Sequence, residues 1–465
     1  MAIAPLDLRR SSTRQREKPR QLRRLRRPRQ LVPLLALVGV TAFVVVVHLV
    51  GESLTAHGTD LRLLGNYVLR GAPDVLLSPR VVLPIVVGAA GVLWGPTLAM
   101  RVSWRMLLPV SAVATAVWAV ALALTSGWSR LTEPLASVYE YPHDVARVGS
   151  IGTFLSTCLA SVPPDSAHPW TAHVGGHPAG ALLTFVLLDH AGLSGLAWAA
   201  ALCIAGGALA VPATLVGIRA VAGEATARRV APFAVLAPTA LWVATSADGF
   251  YTGVTAWGVA LLALAAAREP GRGAVVRAFG GGLLLGIGLF LSFGLAALLP
   301  LAVAVVAVQF RRLGWGGVLR VYVAGGVAVL LVVAVFAVSG YWWFDGLAAT
   351  DARLATGQAL TNRPWGYFAF ANVAALAFAV GPAAIGGLGA LRRVRMAALP
   401  LAALAGVLIS DLTGVVRGET ERLWMPFAVW IVPAAAFLPV RHRRLWLAAS
   451  VVLAIGLEVT VRLEW

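Results

Sequence analysis

Apolar runs of membrane-spanning length recur along this chain from residue 31 to its end, and they leave few folds open. A helix needs about 20 apolar residues to cross roughly 30 Å of hydrocarbon, and Val32–Val50 is the first stretch of that kind. None of the runs alternates as a transmembrane barrel strand would. With 59% hydrophobic residues, 12% charged residues and a mean hydropathy of +0.82, the chain has too little polar surface for a water-soluble globule. The expectation is an all-α, polytopic integral membrane protein.

A net charge of +18 invites a nucleic-acid reading, but its distribution argues against one. Much of it lies before residue 30, in Arg9, Arg10, Arg14, Arg16, Lys18, Arg20, Arg23, Arg24, Arg26, Arg27 and Arg29. Most other arginines sit in short turns between apolar runs, the pattern of loops retained in the cytosol. Residues 1–30 read as a basic, disordered cytosolic tail drawn to anionic membrane lipids. They do not read as a cleavable leader, because the apolar run that follows is of spanning length and has no small-residue cleavage site. Residues 31–465 read as one transmembrane domain. Cys158 and Cys203 lie in different environments and are not expected to pair.

With the tail inside, the turns Arg101–Arg105, Glu224–Arg229, Arg268–Arg277, Arg311–Arg320, Arg392–Arg395 and Arg441–Arg444 fall on the cytosolic side. Residues 51–80, about 127–193, 246–250, 342–366, 415–423 and the C-terminal Arg-Leu-Glu-Trp fall on the outer side. Pro178–Leu188 is too short to span and would spoil the alternation, so it reads as an interfacial helix. Residues 278–310, with both ends inside, read as two short helices meeting near Ser292–Gly294. The total is about thirteen crossings, with the N-terminus in and the C-terminus out.

The longest polar segment after the tail, Gly127–Gly180, collects Glu140, His143, Asp144, His168, His173 and His177. A carboxylate at a membrane–water boundary suits general-base chemistry, since partial desolvation lifts its pKa toward neutrality. Glu140 and Asp144 are the candidates; a loop kept soluble by its charges is the bland alternative. His173 and His177 precede Pro178 at the start of the interfacial helix, whose amide donors favour an anion. A metal site on two loop histidines alone is weakly indicated. Outer-face Arg353, Arg363, Arg417 and Arg422, beside Glu419 and Glu421, run against the inside bias. Guanidinium groups match phosphate geometry, whereas local Glu–Arg pairing would be purely structural. Asp248 and Asp411, near helix ends, read as caps or as partners of an arginine.

These residues resemble the polytopic glycosyltransferases of the GT-C superfamily, which use polyprenyl-phosphate-linked sugars. The likeness covers about residues 130–430. It rests on the acidic outer loop with Glu140 and Asp144, on His177-Pro178, and on the stretches Asn362–Ala383 and Gly418–Phe427. Ala179 stands where that superfamily often has a second proline. Three crossings precede the acidic loop where one is usual, so either two helices are added or residues 51–105 are arranged otherwise, in which case Glu52 and Asp60 in the earlier loop compete for the acid role. The group it is most similar to is the mycobacterial methylthioxylose transferase of lipoarabinomannan and its relatives, and the Ala- and Arg-rich composition fits an actinobacterium. The resemblance implies a GT-C-like fold with juxtamembrane helices, and a plasma-membrane enzyme with its site on the outer face. It implies inverting transfer to a cell-envelope glycan or glycolipid, with Asp144 or Glu140 as base and Asp144 the first choice because His143 adjoins it. Arg417, Arg422, His177 and Arg363 would hold the phosphate, with His143, His173, Glu419 and Glu421 close by. A divalent metal, Mg or Mn, is used by some members and not by others. The rival readings are a transporter or flippase of lipid-linked precursors, which needs charge at mid-membrane, and an assembly partner of the envelope machinery.

Overall fold

The computed structural model describes residues 18–464 except 270, 357–362 and 393, and for 18–30 the backbone alone. The first helix, Lys18–Ala56, reaches back into the tail; the rest of the tail, with all its side chains, lies outside the described residues. Among the described residues nine helices are long and apolar enough to cross a membrane, and four shorter apolar helices accompany them, including Ala179–His190 and Phe293–Ala307. The protein is all-α and polytopic. Leu31–Ala56 and Phe310–Val338 bury only 11% and 22% of their most apolar windows, so their Val and Leu side chains form an outward belt fitted to lipid. Ala247–Ala266 and Trp365–Gly389 bury 72% and lie at the centre.

Small residues set the closest helix crossings. A methyl added at Gly253 would sit 2.3 Å from the Gly206 carbonyl oxygen, and one at Gly282 would sit 2.0 Å from that of Gly325. Backbone approach of this kind replaces the hydrophobic drive that lipid does not supply.

Side-chain contacts divide the bundle into two ends. At one, Arg228 donates to the Ala99 and Val102 carbonyls at 2.8 and 2.7 Å, Gln309 to Ala220 at 3.0 Å, and Arg312 to Arg268 at 3.1 Å. The basic turns expected inside therefore meet one another. At the other end lie Asp60, Glu140, His177, Asp248, Ser292, Arg363 and Arg422. The Ala247–Ala266 helix joins the two, with Asp248 among the acids and the Ala266 carbonyl held by Arg312.

Ala179–His190 has 12 residues, about 18 Å of helix, too short to cross. The 27-residue helix that follows, Leu196–Ala222, covers the whole depth from the acidic end to the basic end. Arg272–Leu291 and Phe293–Ala307 meet at Ser292–Gly294 on the acidic end, although the first of them, at 20 residues, is longer than expected. A pairing the sequence did not signal ties that end together: β1 (Gly71–Pro73) pairs antiparallel with β2 (Val461–Leu463). The two cysteines are both buried and free.

Candidate functional site

At the acidic end the helices frame a cavity of about 1130 Å³. Its polar wall carries Asp60, Arg62, Arg70, His173, His177, Asp248, Tyr251, Asp351, Arg363, Arg417, Glu419 and Arg422, and Phe293, Phe344, Leu347 and Trp424 give it an apolar side. The formal charges of its arginines exceed those of its carboxylates by one.

The turn before Thr420 organises the cations. Glycine at 418, with φ +95°, and Glu419, with φ +62°, both occupy the left-handed region, which reverses the chain sharply. Asn372, buried in the Trp365–Gly389 helix, holds this turn: its amide group donates to Val416 and Asp411 at 2.9 and 2.8 Å, and its oxygen accepts the Gly418 N–H at 2.9 Å. Glu419 then faces three guanidiniums, with Oε2 2.7 Å from Arg422 and Oε1 3.2 Å from Arg70 and 3.5 Å from Arg363. Burial alone would raise its pKa, but Arg422, Arg70 and Arg363 outweigh burial and hold it far below the usual carboxylate range. Arg422 also donates to Asp248 at 2.7 Å, and this pair is almost wholly buried. The two carboxylates, after the opposing pull of burial, fix the guanidinium in its charged form.

Glu421 is completely buried behind this wall. Its Oε1 accepts the Arg70 N–H at 2.9 Å, its Oε2 has no hydrogen-bond partner, and burial pushes its pKa up to about 7. It orients Arg70 from behind and does not line the cavity.

The histidines differ. His173 lines the cavity, with Nδ1 2.9 Å from Glu140 Oε1 and Nε2 3.3 Å from Arg422 Nη2. That pattern selects the neutral tautomer, with Nδ1–H donating to the carboxylate. His177 also lines the cavity; its Nδ1–H donates to the His173 carbonyl at 2.9 Å. Burial, then the neighbouring His173, lowers its pKa to about 4, so it presents a neutral ring whose Nε2 accepts a hydrogen bond instead of holding an anion. The rings stand 6.2 Å apart at 85°. Among the described residues no group of three or more His, Cys, Asp or Glu could hold a metal ion.

The two candidate bases are placed differently. Glu140 is buried immediately behind His173, and its Oε2 has no hydrogen-bond partner. Asp144 is buried outside the cavity wall, and both of its oxygens are used. Oδ1 meets Arg147 at 2.5 Å, and Oδ2 accepts the Thr171 N–H at 2.9 Å. Arg147 in turn lies 4.1 Å over Trp170 and donates to the His168 and Pro169 carbonyls. Asp144 therefore closes the 141–171 loop. His143 is exposed, 2.9 Å from the Ala136 carbonyl, and does not touch Asp144's carboxylate. Arg353 staples the loop through Val162 and Trp170, and Glu52 is exposed on the first helix, away from the cavity wall. Arg363 spends its donors on the Leu61, Arg62 and Arg417 carbonyls, and Arg417 contacts the Gly414 and Arg363 carbonyls.

Arg62, Arg70, Tyr251 and Asp351 went unmarked by the sequence reading. The rule that singled out Arg353 and Arg363, cations on the wrong side of the bias, applies equally to Arg62 and Arg70. No comparable signal marks Tyr251 or Asp351.

No family model and no curated protein matches this chain. Two crystal structures of the oligosaccharyltransferase of Archaeoglobus fulgidus are similar to it. The complex with zinc and sulfate aligns over 76% of this chain and 53% of that one, with 16% identity and a TM-score of 0.41. The apo form aligns over 78% and 56%, with 13% identity and a TM-score of 0.42. The chain thus spans about half the length of the structures it matches, and likeness at this level fixes neither fold family nor activity.

Proposed function

We propose that this protein is an inverting, GT-C-like membrane glycosyltransferase that moves a sugar from a polyprenyl-phosphate donor to a cell-envelope glycan or glycolipid on the outer face of the plasma membrane. One observation carries this reading: a single cavity at one end of an apolar bundle has a buried cluster of guanidiniums beside a carboxylate–imidazole pair. A lipid phosphodiester brings one negative charge, which matches the one-charge excess of the wall. The rival transporter reading needs charge at mid-membrane, whereas the charges of this cavity gather at one end of the helices.

In the proposed reaction the acceptor hydroxyl oxygen attacks the anomeric carbon from the face opposite the phosphate. Its proton passes to His173 Nε2, which gives up the Arg422 N–H it faces at rest, while Glu140 holds Nδ1–H and stabilises the imidazolium that forms. The anomeric C–O bond breaks, and the electron pair leaves with the polyprenyl phosphate. Arg422, Arg417 and Arg70 stabilise that dianion; Arg363 and Glu419 set their positions. Neutral His177 accepts a hydrogen bond from a sugar hydroxyl. The base role thus goes to Glu140 acting through His173, because Asp144 has no oxygen to offer the cavity. Sugar identity within this scheme follows from the cavity walls, and the sequence resembles the mycobacterial methylthioxylose transferase group.

The test is transfer from lipid-linked sugar to envelope acceptor in membranes carrying single variants. Glu140→Gln and His173→Gln should each lose about 10²-fold or more, with Asp144→Asn impaired only as far as its folding is. Full loss in Asp144→Asn, well folded, alongside an active His173→Gln would overturn the assignment.

A further inference from the structure

The opposite end of the bundle holds a second concave site that the transfer reaction does not use. Arg268, Arg277 and Arg312 line a cleft of about 540 Å³ between the end of the Ala247–Ala266 helix and the start of Arg272–Leu291, with Glu269 as the acid on its wall. A narrow crevice lined by Arg320, Leu313 and Val321 adjoins it and shares Arg268 and Ala274. Charge that only sets topology needs no cleft, since it acts from anywhere in a short loop. Here the guanidiniums share a walled space.

Two further features fix the depth and the company of this cleft. At Gly314, φ +63° breaks the Phe310–Val338 helix after its first turn. Beyond the break, Trp315 is 79% exposed and packs edge-on against Phe310, with ring centroids 4.8 Å apart. An exposed indole at a helix end sits at the headgroup level of a bilayer. From Trp315 the same helix carries exposed Leu319, Val323 and Val327 at intervals of four residues, a continuous apolar stripe toward mid-membrane. Basic cleft and aromatic marker thus belong to the same end of the bundle, at headgroup level, on helices whose outer faces meet lipid.

We propose that this cleft binds the phosphate of an anionic membrane phospholipid on the leaflet facing the basic end, with the acyl chains in the surrounding hydrocarbon. Guanidinium groups pair with phosphate oxygens in a fork, and Arg268 and Arg277 share the cleft wall, Arg277 with one donor on the Gly273 carbonyl at 2.7 Å. Arg312 is already engaged on the Ala266 and Arg268 carbonyls and shapes the wall.

The experiment is native mass spectrometry of the detergent-purified full chain titrated with phosphatidylglycerol and, separately, with phosphatidylcholine. The intact protein should retain phosphatidylglycerol selectively. Arg268→Gln/Arg277→Gln should lower that retention about tenfold, and Arg277→Gln alone should give a partial loss. Arg101→Gln/Arg105→Gln, at the same end but outside the cleft, should leave it unchanged. Equal retention of both lipids, equal loss in the Arg101/Arg105 variant, or displacement of the lipid by millimolar inorganic phosphate would each overturn the proposal. Glycosyl transfer does not enter the readout, so failure here is separate from failure of the catalytic reading.

Discussion

The Arg422–Asp248 pair offers the sharpest separation of structure from chemistry. Both groups are almost fully buried, 2.7 Å apart, and Arg422 also neutralises Glu419 at 2.7 Å. Arg422→Gln alone strands the buried Asp248 carboxylate, while Glu419 keeps Arg70 and Arg363, a loss of about 3–5 kcal/mol. Asp248→Asn alone leaves the guanidinium with Glu419 and costs less. In the double variant the stranded Asp248 charge is gone, so it should be more stable than the sum of the singles by about 1–3 kcal/mol. Unfolding in mixed micelles titrated with a denaturing detergent measures this cycle. Stability should recover in part, yet sugar transfer should stay strongly reduced, because the leaving phosphate then lacks the Arg422 guanidinium. Strict additivity of the stabilities would refute the buried-pair argument, and transfer by the double variant would remove Arg422 from the phosphate site.

Other outcomes follow from the same wall. The Glu421 carboxyl titrates near 7 in the folded protein and near 4.5 when ordinary, so the folded state holds more protons between those values. Stability should fall as pH rises through that window and level off above it; Glu421→Gln should abolish the slope and stabilise the protein at pH 8 by up to about 3 kcal/mol, read from melts across pH. Asn372→Ala leaves the Gly418 N–H and the Val416 carbonyl without their partner, a loss of about 1–3 kcal/mol per group, and should lower kcat by loosening the Arg417–Glu419 turn. Arg70→Gln should raise KM for the lipid donor more than it lowers kcat, as steady-state transfer assays would register.

Architecture was legible in the sequence because the bilayer imposes it. Hydrocarbon thickness sets run length, and the arginine bias sorts the turns. The meetings of Arg228 with Ala99 and of Arg312 with Arg268 follow from that sorting. Pairing across the sequence was harder to read. Ser137–Val148 looks like one acidic motif, yet Asp144 turns back to lock Arg147 and Thr171 while Glu140 turns to His173. Nothing in the local spacing separates these fates; the fold of residues 150–170 does. Arg70 reaches Glu419 across 349 positions, a distance no periodicity reports. Asn372 is one polar residue in an apolar helix, and only its three partners reveal that it holds the turn carrying Arg417 and Glu419.

The most direct test is the envelope glycan of a strain lacking this protein, complemented with the intact chain, with Glu140→Gln or with His173→Gln. The account predicts that one sugar linkage disappears on deletion, returns with the intact chain and fails to return with either variant at normal membrane abundance. Restoration of that linkage by both variants, or an unchanged glycan in the deletion strain, would contradict it.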